Sequence, residues 1–260
     1  METLIRREGG NPFIAPSVEE RALEDHSEAL DFIDRLHAGE FDLVVCMTGA
    51  GLAFLREIAI ASAKVEMLAE GLRNTFIVSR GPKPVPLLRE MGARAQIVVP
   101  EPNTWKEVVA AVAARKERRI AVQEYGKPNL EMTAALEELG AKVRPFAIYR
   151  WDMPPDRAPL REAARRLAGG EIDVVLFTSS IQLDHLFQIA VGLGLEEKVR
   201  EALTHRTAIA SVGPIMSEAL EVAGLPVDIS PLHPKMAGLV KAASDASAEV
   251  LSRKRRLNMC

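Results

Sequence analysis

"SRGPKPVPLLREMGARAQIVV" (79–99) and "SVGPIMSEALEVAGLPVDIS" (211–230) carry one pattern twice, 132 positions apart. In both, Ser-x-Gly-Pro ends an apolar run and an amphipathic stretch follows. A second Gly then stands eleven residues past the first (Gly81 to Gly92, Gly213 to Gly224), ahead of a β-like segment. This is a repeated β-turn-α-turn-β unit, and other matches extend it. "GEFDLVVCMTGAGLAFL" (39–55) and "GEIDVVLFTSSIQLDHL" (170–186) share Gly-Glu-x-Asp, an apolar strand, a Thr and a helix, at a spacing of 131. A weaker match aligns "LEELGAKVRPFAIY" (136–149) with "IRREGGNPFIAPSV" (5–18) on Gly140 and Gly9.

Between these landmarks, short apolar runs alternate with helix-period stretches. Strands are expected near 41–47, 75–79, 95–99, 119–125, 142–149, 173–178, 206–211 and 227–229, the alternation that builds parallel sheets through right-handed crossovers. In "TWKEVVAAVAARKERR" (104–119), Thr104 suits the helix start. Val108, Val109, Val112 and Ala113 line one face, and basic residues gather at the end. The fold class is α/β, with two similar parallel-sheet (Rossmann/flavodoxin-like) domains.

The order of the matches implies that one domain is inserted in the other. The inner domain runs over 25–149, and the outer comprises 1–20 and 153–260, with a cleft between them. The Pro-containing segments 16–23 and 149–159 form a two-segment linker. The strand 119–125 has no outer counterpart, so the outer sheet is expected to be one strand short, with an edge open to pairing.

Bulk composition bounds the function. A formal net charge of -3 over 260 residues gives no general attraction to nucleic acid, and no run has the ~18 apolar residues a membrane span needs. The reading is a cytoplasmic monomer without nucleic-acid or membrane partners. Cys46 lies in an apolar run and reads as a buried small side chain; Cys260 is the last residue, so no disulfide or metal spacing arises. His26 and His37 read as surface residues, and His185, His205 and His233 form no metal-spaced pair. The basic run in "LSRKRRLNMC" reads as a solvated helix end.

Ligands of such folds bind at the loops after the strands. Here these are "MTGAG" (47–51), "SRGPKP" (79–84), "EYGKPN" (124–129), "TSSIQ" (178–182), "SVGPI" (211–215) and "PLHPK" (231–235). Gly, hydroxyls and backbone N–H groups ahead of helices make anion sites, and Arg80, Lys83, Lys127 and Lys235 add positive charge. A ligand with several carboxylates or phosphates fits. Each feature also has a plainer role: Gly-Pro as turn chemistry, Arg80 and Lys83 as solvated charges, Ser179 and Ser180 as helix caps, Tyr149 as a hinge anchor. No loop matches a nucleotide-binding Gly-rich motif.

With "FTSS", "SVGP…SEALEVAGLPV", "YGKPNLEMTAALEELGAKVRPFAIYRW" and "PLHPKMAGLVKAA" in this order, the whole chain resembles the uroporphyrinogen-III synthase family. The resemblance implies a cofactor-free lyase acting on a linear tetrapyrrole octacarboxylate, hydroxymethylbilane. Loss of its hydroxyl gives an azafulvene cation, ring D attacks through its substituted carbon, and a spiro intermediate rearranges to the macrocycle with ring D inverted. Tyr149 takes the place of a tyrosine proposed to assist hydroxyl departure. Thr178, Ser179, Ser180, Gly213 and Pro214 match loops that bind acetate and propionate groups, largely through backbone N–H. The facing loops add Thr48, Arg80, Gly81, Lys83, Gly126, Lys127 and Lys235 as substrate-binding candidates. Where many members have Gly-Pro-Thr-Thr, this chain has Gly213-Pro214-Ile215-Met216, so a hydroxyl there is no part of its chemistry. A second reading stays open, a non-catalytic module of the same fold that senses a tetrapyrrole or another polyanion. A periplasmic-type solute receptor is disfavoured by the lack of a signal-peptide pattern.

Overall fold

A computed structural model describes residues 1–124, 126 and 128–257. Lys127, among the candidates above, and Tyr125 and Cys260 lie outside the described residues. The chain divides into two compact units, Glu20–Asp152 and a composite of Met1–Glu19 with Met153–Cys260.

In the Glu20–Asp152 unit, strands β2 (Leu43–Cys46), β3 (Phe76–Ser79), β4 (Ile97–Val98), β5 (Arg119–Gln123) and β6 (Lys142–Phe146) form one parallel sheet in the order β4-β3-β2-β5-β6. The period-2 alternation of β2 explains its two-sided burial. Val44 and Cys46 face helices α2 (Ser27–His37), α3 (Gly49–Ala61) and α4 (Val65–Asn74), while Leu43 and Val45 face α6 (Trp105–Ala113) and α7 (Leu130–Glu138). Burial pushes the Cys46 thiol up to about 12, which makes it an inert packing group. A separate two-stranded ladder joins β1 (Glu19–Ala22) to β7 (Tyr149–Asp152).

The composite unit has β8 (Val174–Phe177) parallel to β9 (Ala208–Ser211). Helices α8 (Ala158–Ala168), α9 (Ser180–Gly192), α10 (Glu196–His205) and α11 (Pro214–Val222) cover one face, and α12 (Met236–Leu257) covers the other. The strand expected at 227–229 is reduced to a single bridge, Ala210 to Ile229. Among the described residues β8 pairs only with β9, whereas its repeat counterpart β2 is flanked on both sides. β2 is accordingly buried throughout, while Val174, Val175 and Leu176 of β8 are half-exposed.

The sequence repeat is a repeat of hydrogen bonds. Ser79 ends β3 and donates from Oγ to the Gly81 carbonyl at 2.6 Å; Ser211 ends β9 and donates to the Gly213 carbonyl at 3.1 Å. The Gly-Glu motifs close helix ends alike. Gly39 and Gly170 both take φ +73°, and the next residue's N–H returns to the carbonyl of Arg35 or Arg166. Even the weak third match holds locally, since Gly9 and Gly140 have φ of +83° and +81° with equivalent bonds back into α1 (Glu2–Arg7) and α7.

Two expectations are corrected. The helix after Thr104 ends at Ala113 rather than near 119, because Arg119 already belongs to β5. Its Thr104–Glu107 capping box stands, with Thr104 N 2.7 Å from Glu107 Oε2. The basic run is not wholly solvated. Lys254 is 5% exposed, pairs with Asp228 at 2.6 Å, and donates to the carbonyls of Leu203 (2.9 Å) and Thr207 (2.7 Å). Burial lowers its pKa against the raising effect of Asp228.

At the amino ends of β2 and β5, Asp42 accepts from Arg119 Nε and from the Arg119 backbone N, both at 3.0 Å. These bonds hold the Asp42 carboxyl at about 2. A carboxyl depressed by folding stabilises above its ordinary value of 3.8 and loses that contribution as pH falls through about 2. With Asp42 about one-third exposed, the contribution is on the order of 1 kcal/mol. Asp42→Asn is expected to lower unfolding free energy by that amount at pH 5 and to match wild type near pH 2 in urea titrations; an equal deficit at both pH values would remove the ion pair as the cause.

Candidate functional site

In the five-stranded sheet, β3 and β4 follow β2 to one side, and β5 and β6 lie on the other. The switch point is therefore between β2 and β5, and ligands of open α/β sheets bind outside the carboxyl ends there. Thr48 follows β2 and caps α3, accepting from Gly51 N at 3.0 Å. Gln123 ends β5, and its Nε2 lies 3.3 Å from Thr48 Oγ1 and 3.4 Å from the Thr48 carbonyl oxygen. Tyr149, 2% exposed, starts β7 and brings its hydroxyl to 3.1 Å from Thr48 Oγ1. Its ring packs on Phe54 of α3 with centroids 5.7 Å apart.

The neighbouring loops close around this group. A Cβ on Gly49 would lie 2.9 Å from the Lys83 carbonyl oxygen, so loops 47–51 and 79–84 touch backbone to backbone. Gly81 abuts Asn103, and Gly126, at φ +76°, sits against the Trp151 ring where any side chain would clash. The Lys83 side chain is exposed and that of Arg80 half-exposed. Half-buried Glu124 has its pKa raised, chiefly by burial and further by Glu28.

In the composite unit, the loop after β8 turns its donors inward. Gln182 Oε1 accepts from Thr178 N at 2.7 Å, Ser179 N at 3.2 Å and Thr178 Oγ1 at 3.3 Å. The two backbone N–H groups expected to meet substrate carboxylates are thus engaged by a capping side chain, and Ser180 opens α9. Gly213 and Pro214 start α11, and a Cβ on Gly213 would lie 2.9 Å from Pro234 Cβ, which joins this turn to the loop bearing exposed Lys235. Met216 is buried in the core while Ile215 is exposed. His185 is buried, its Nδ1–H donating to the Ser17 carbonyl, and so holds the 16–18 segment on α9.

Sequence reading passed over Gln123, Glu124 and Gln182. Gln182 had a signal, the Ser-x-x-Gln spacing of a capping box. Gln123 offered only a polar residue at the end of an apolar strand. A concavity of about 710 Å³ lies at the opposite, amino ends of the Glu20–Asp152 strands, lined by Gly39, Asp42, Thr75, Glu117 and Arg119. Its Asp42–Arg119 pair is already satisfied. Among the described residues no group of three or more His, Cys, Asp or Glu is placed to hold a metal ion, and no helix is long and apolar enough to cross a membrane.

The family model described as uroporphyrinogen-III synthase HemD matches residues 1–241. A Bacillus subtilis (strain 168) protein, described as uncharacterized protein YjjA, is 28% identical over 243 residues, 92% of this chain and 88% of its own length. A mutant uroporphyrinogen III synthase from the extremely thermophilic bacterium Thermus thermophilus shares the fold at a TM-score of 0.70 and 24% identity, over 96% of this chain and 94% of that one. The wild-type Thermus enzyme in a second crystal form gives 0.54 and 26% over the same shares. With two α/β units built from one repeated pattern and a single model matched along nearly its whole length, the chain belongs to the uroporphyrinogen-III synthase family.

Proposed function

We propose that the protein closes hydroxymethylbilane to uroporphyrinogen III with inversion of ring D, releasing one water. The observation that carries this reading is the Tyr149 hydroxyl, 3.1 Å from Thr48 Oγ1 at the switch point of a sheet, in a chain of this family. Departure of the substrate hydroxyl needs a proton on the leaving oxygen, and the phenol of Tyr149 supplies a hydrogen bond to it. The resulting cation is delocalised over pyrrole, so the remaining task is to hold the bilane folded with ring D's substituted carbon facing it.

Binding falls to two sets of loops. Thr48, Arg80, Gly81, Lys83, Gly126 and Lys127 serve from the inner domain. Thr178, Ser179, Ser180, Gly213, Pro214 and Lys235 serve from the outer, with acetate and propionate groups as their ligands. A carboxylate at Thr178 and Ser179 takes the place of the Gln182 carboxamide, exchanging a neutral acceptor for a charged one, which strengthens the same hydrogen bonds.

The test is a coupled assay with freshly generated hydroxymethylbilane and separation of the two uroporphyrin isomers after oxidation. Isomer III in excess of the no-enzyme control is expected. Isomer I alone, with the macrocycle still bound, would replace this reading with that of a non-catalytic sensor.

A further inference from the structure

Thr48 Oγ1 has one hydrogen to give and two lone pairs to fill. The Gly51 N–H fills one at 3.0 Å. The Gln123 carboxamide faces the other, and which of its ends does so is decided by a second contact. The atom 3.3 Å from Thr48 Oγ1 also lies 3.4 Å from the Thr48 carbonyl oxygen, which can only accept. That atom is therefore the amide nitrogen, and it donates. With both lone pairs occupied, the hydroxyl hydrogen of Thr48 has Tyr149 Oη, at 3.1 Å, as its acceptor. We infer that Gln123 and the Gly51 amide together fix the direction of the Thr48–Tyr149 hydrogen bond, so that Tyr149 Oη accepts from the Thr48 hydroxyl and points its own hydrogen elsewhere.

Two further features single out Gln123. Gln123 is 1% exposed, and its Oε1 is buried with no hydrogen-bond partner among the described residues, a cost that an apolar side chain of the same length would not carry. Space for the carboxamide exists only because residue 51 is glycine: a Cβ there would lie 1.6 Å from Gln123 Nε2. Gln123 is thus a positioning residue, acting on Tyr149 through Thr48. A phenol oxygen that accepts a hydrogen bond is a better proton donor, because the bond strengthens as negative charge develops on it.

The catalytic consequence rests on the function proposed above; the direction of the bond does not. Neutron diffraction from the deuterated full chain reads that direction. Deuterium on Thr48 Oγ1 pointing to Tyr149 is expected, and deuterium on Tyr149 pointing to Thr48 would overturn the inference. Gln123→Met tests the role. It removes the donor together with the orphaned acceptor, so resistance to urea is expected to be equal to or above wild type. At the same time kcat falls about tenfold with KM within about twofold. Unchanged kcat would end the positioning role. If wild type makes no isomer III, the functional reading fails while the neutron result still stands or falls by itself.

Discussion

Replacing Lys254 with alanine is expected to destabilise the composite unit by about 3–5 kcal/mol, because it strands the Asp228 carboxylate in a site 3% exposed. The damage extends beyond the ion pair, since the Leu203 and Thr207 carbonyls lose their shared donor too. What remains for Asp228 is the Ile209 N–H at 2.9 Å and Arg253 at 3.5 Å. The control is one residue away. Arg255 meets Asp173 at 3.6 Å with both side chains more than 70% exposed, and Arg255→Ala is expected to stay within about 0.5 kcal/mol of wild type. Both tryptophans, Trp105 and Trp151, lie in the Glu20–Asp152 unit, so their fluorescence is the wrong probe. Amide hydrogen exchange in β9 reports the right one. A loss below about 1 kcal/mol for Lys254→Ala would mean that the pair is dispensable.

Tyr149→Phe is expected to slow formation of isomer III by about a hundredfold while leaving affinity for the macrocyclic product within about twofold. The ring keeps its packing on Phe54, and the missing hydroxyl costs about 1 kcal/mol of stability through its bond to Thr48. Unassisted closure gives the uninverted isomer, so the ratio of isomers falls together with the rate. Full activity in the variant would leave Tyr149 as an anchor between β7 and α3 and remove it from the chemistry.

What the sequence made legible was whatever repeats locally. Gly39 with Gly170, and Ser79 with Ser211, recur because each motif closes its own turn with bonds spanning a few residues, and such bonds leave a fixed spacing. The central strands β2 and β3 were visible for a different reason, since burial on two faces makes a near-continuous apolar run. Partnerships across the chain were not visible. The ladder of β1 with β7 joins "EERA" to a segment about 130 residues away, and a polar four-residue strand has no hydrophobic period to announce it. Lys254 looked solvated because the carboxylate that lets it be buried lies in another element. At the switch point, Thr48 and Tyr149 stood out separately, but only the fold sets them 3.1 Å apart and supplies Gln123 between strand and helix.

The division of the chain also sets an order of events during synthesis. The Glu20–Asp152 unit is one continuous stretch, complete when residue 152 leaves the ribosome. The composite unit needs Ser17, made before that stretch, and Lys254, made about a hundred residues after residue 152. At ~5–20 residues per second, the roughly 240 residues from Ser17 to Lys254 keep the first segment waiting about 12–50 seconds for its last partner. Through that interval Phe13 and Ile14, already 39% and 41% exposed in the finished fold, have less of their own core to pack on. The nascent chain is then a folded middle with an unfinished tether at either side, and chaperone contact is expected to concentrate on the leading segment.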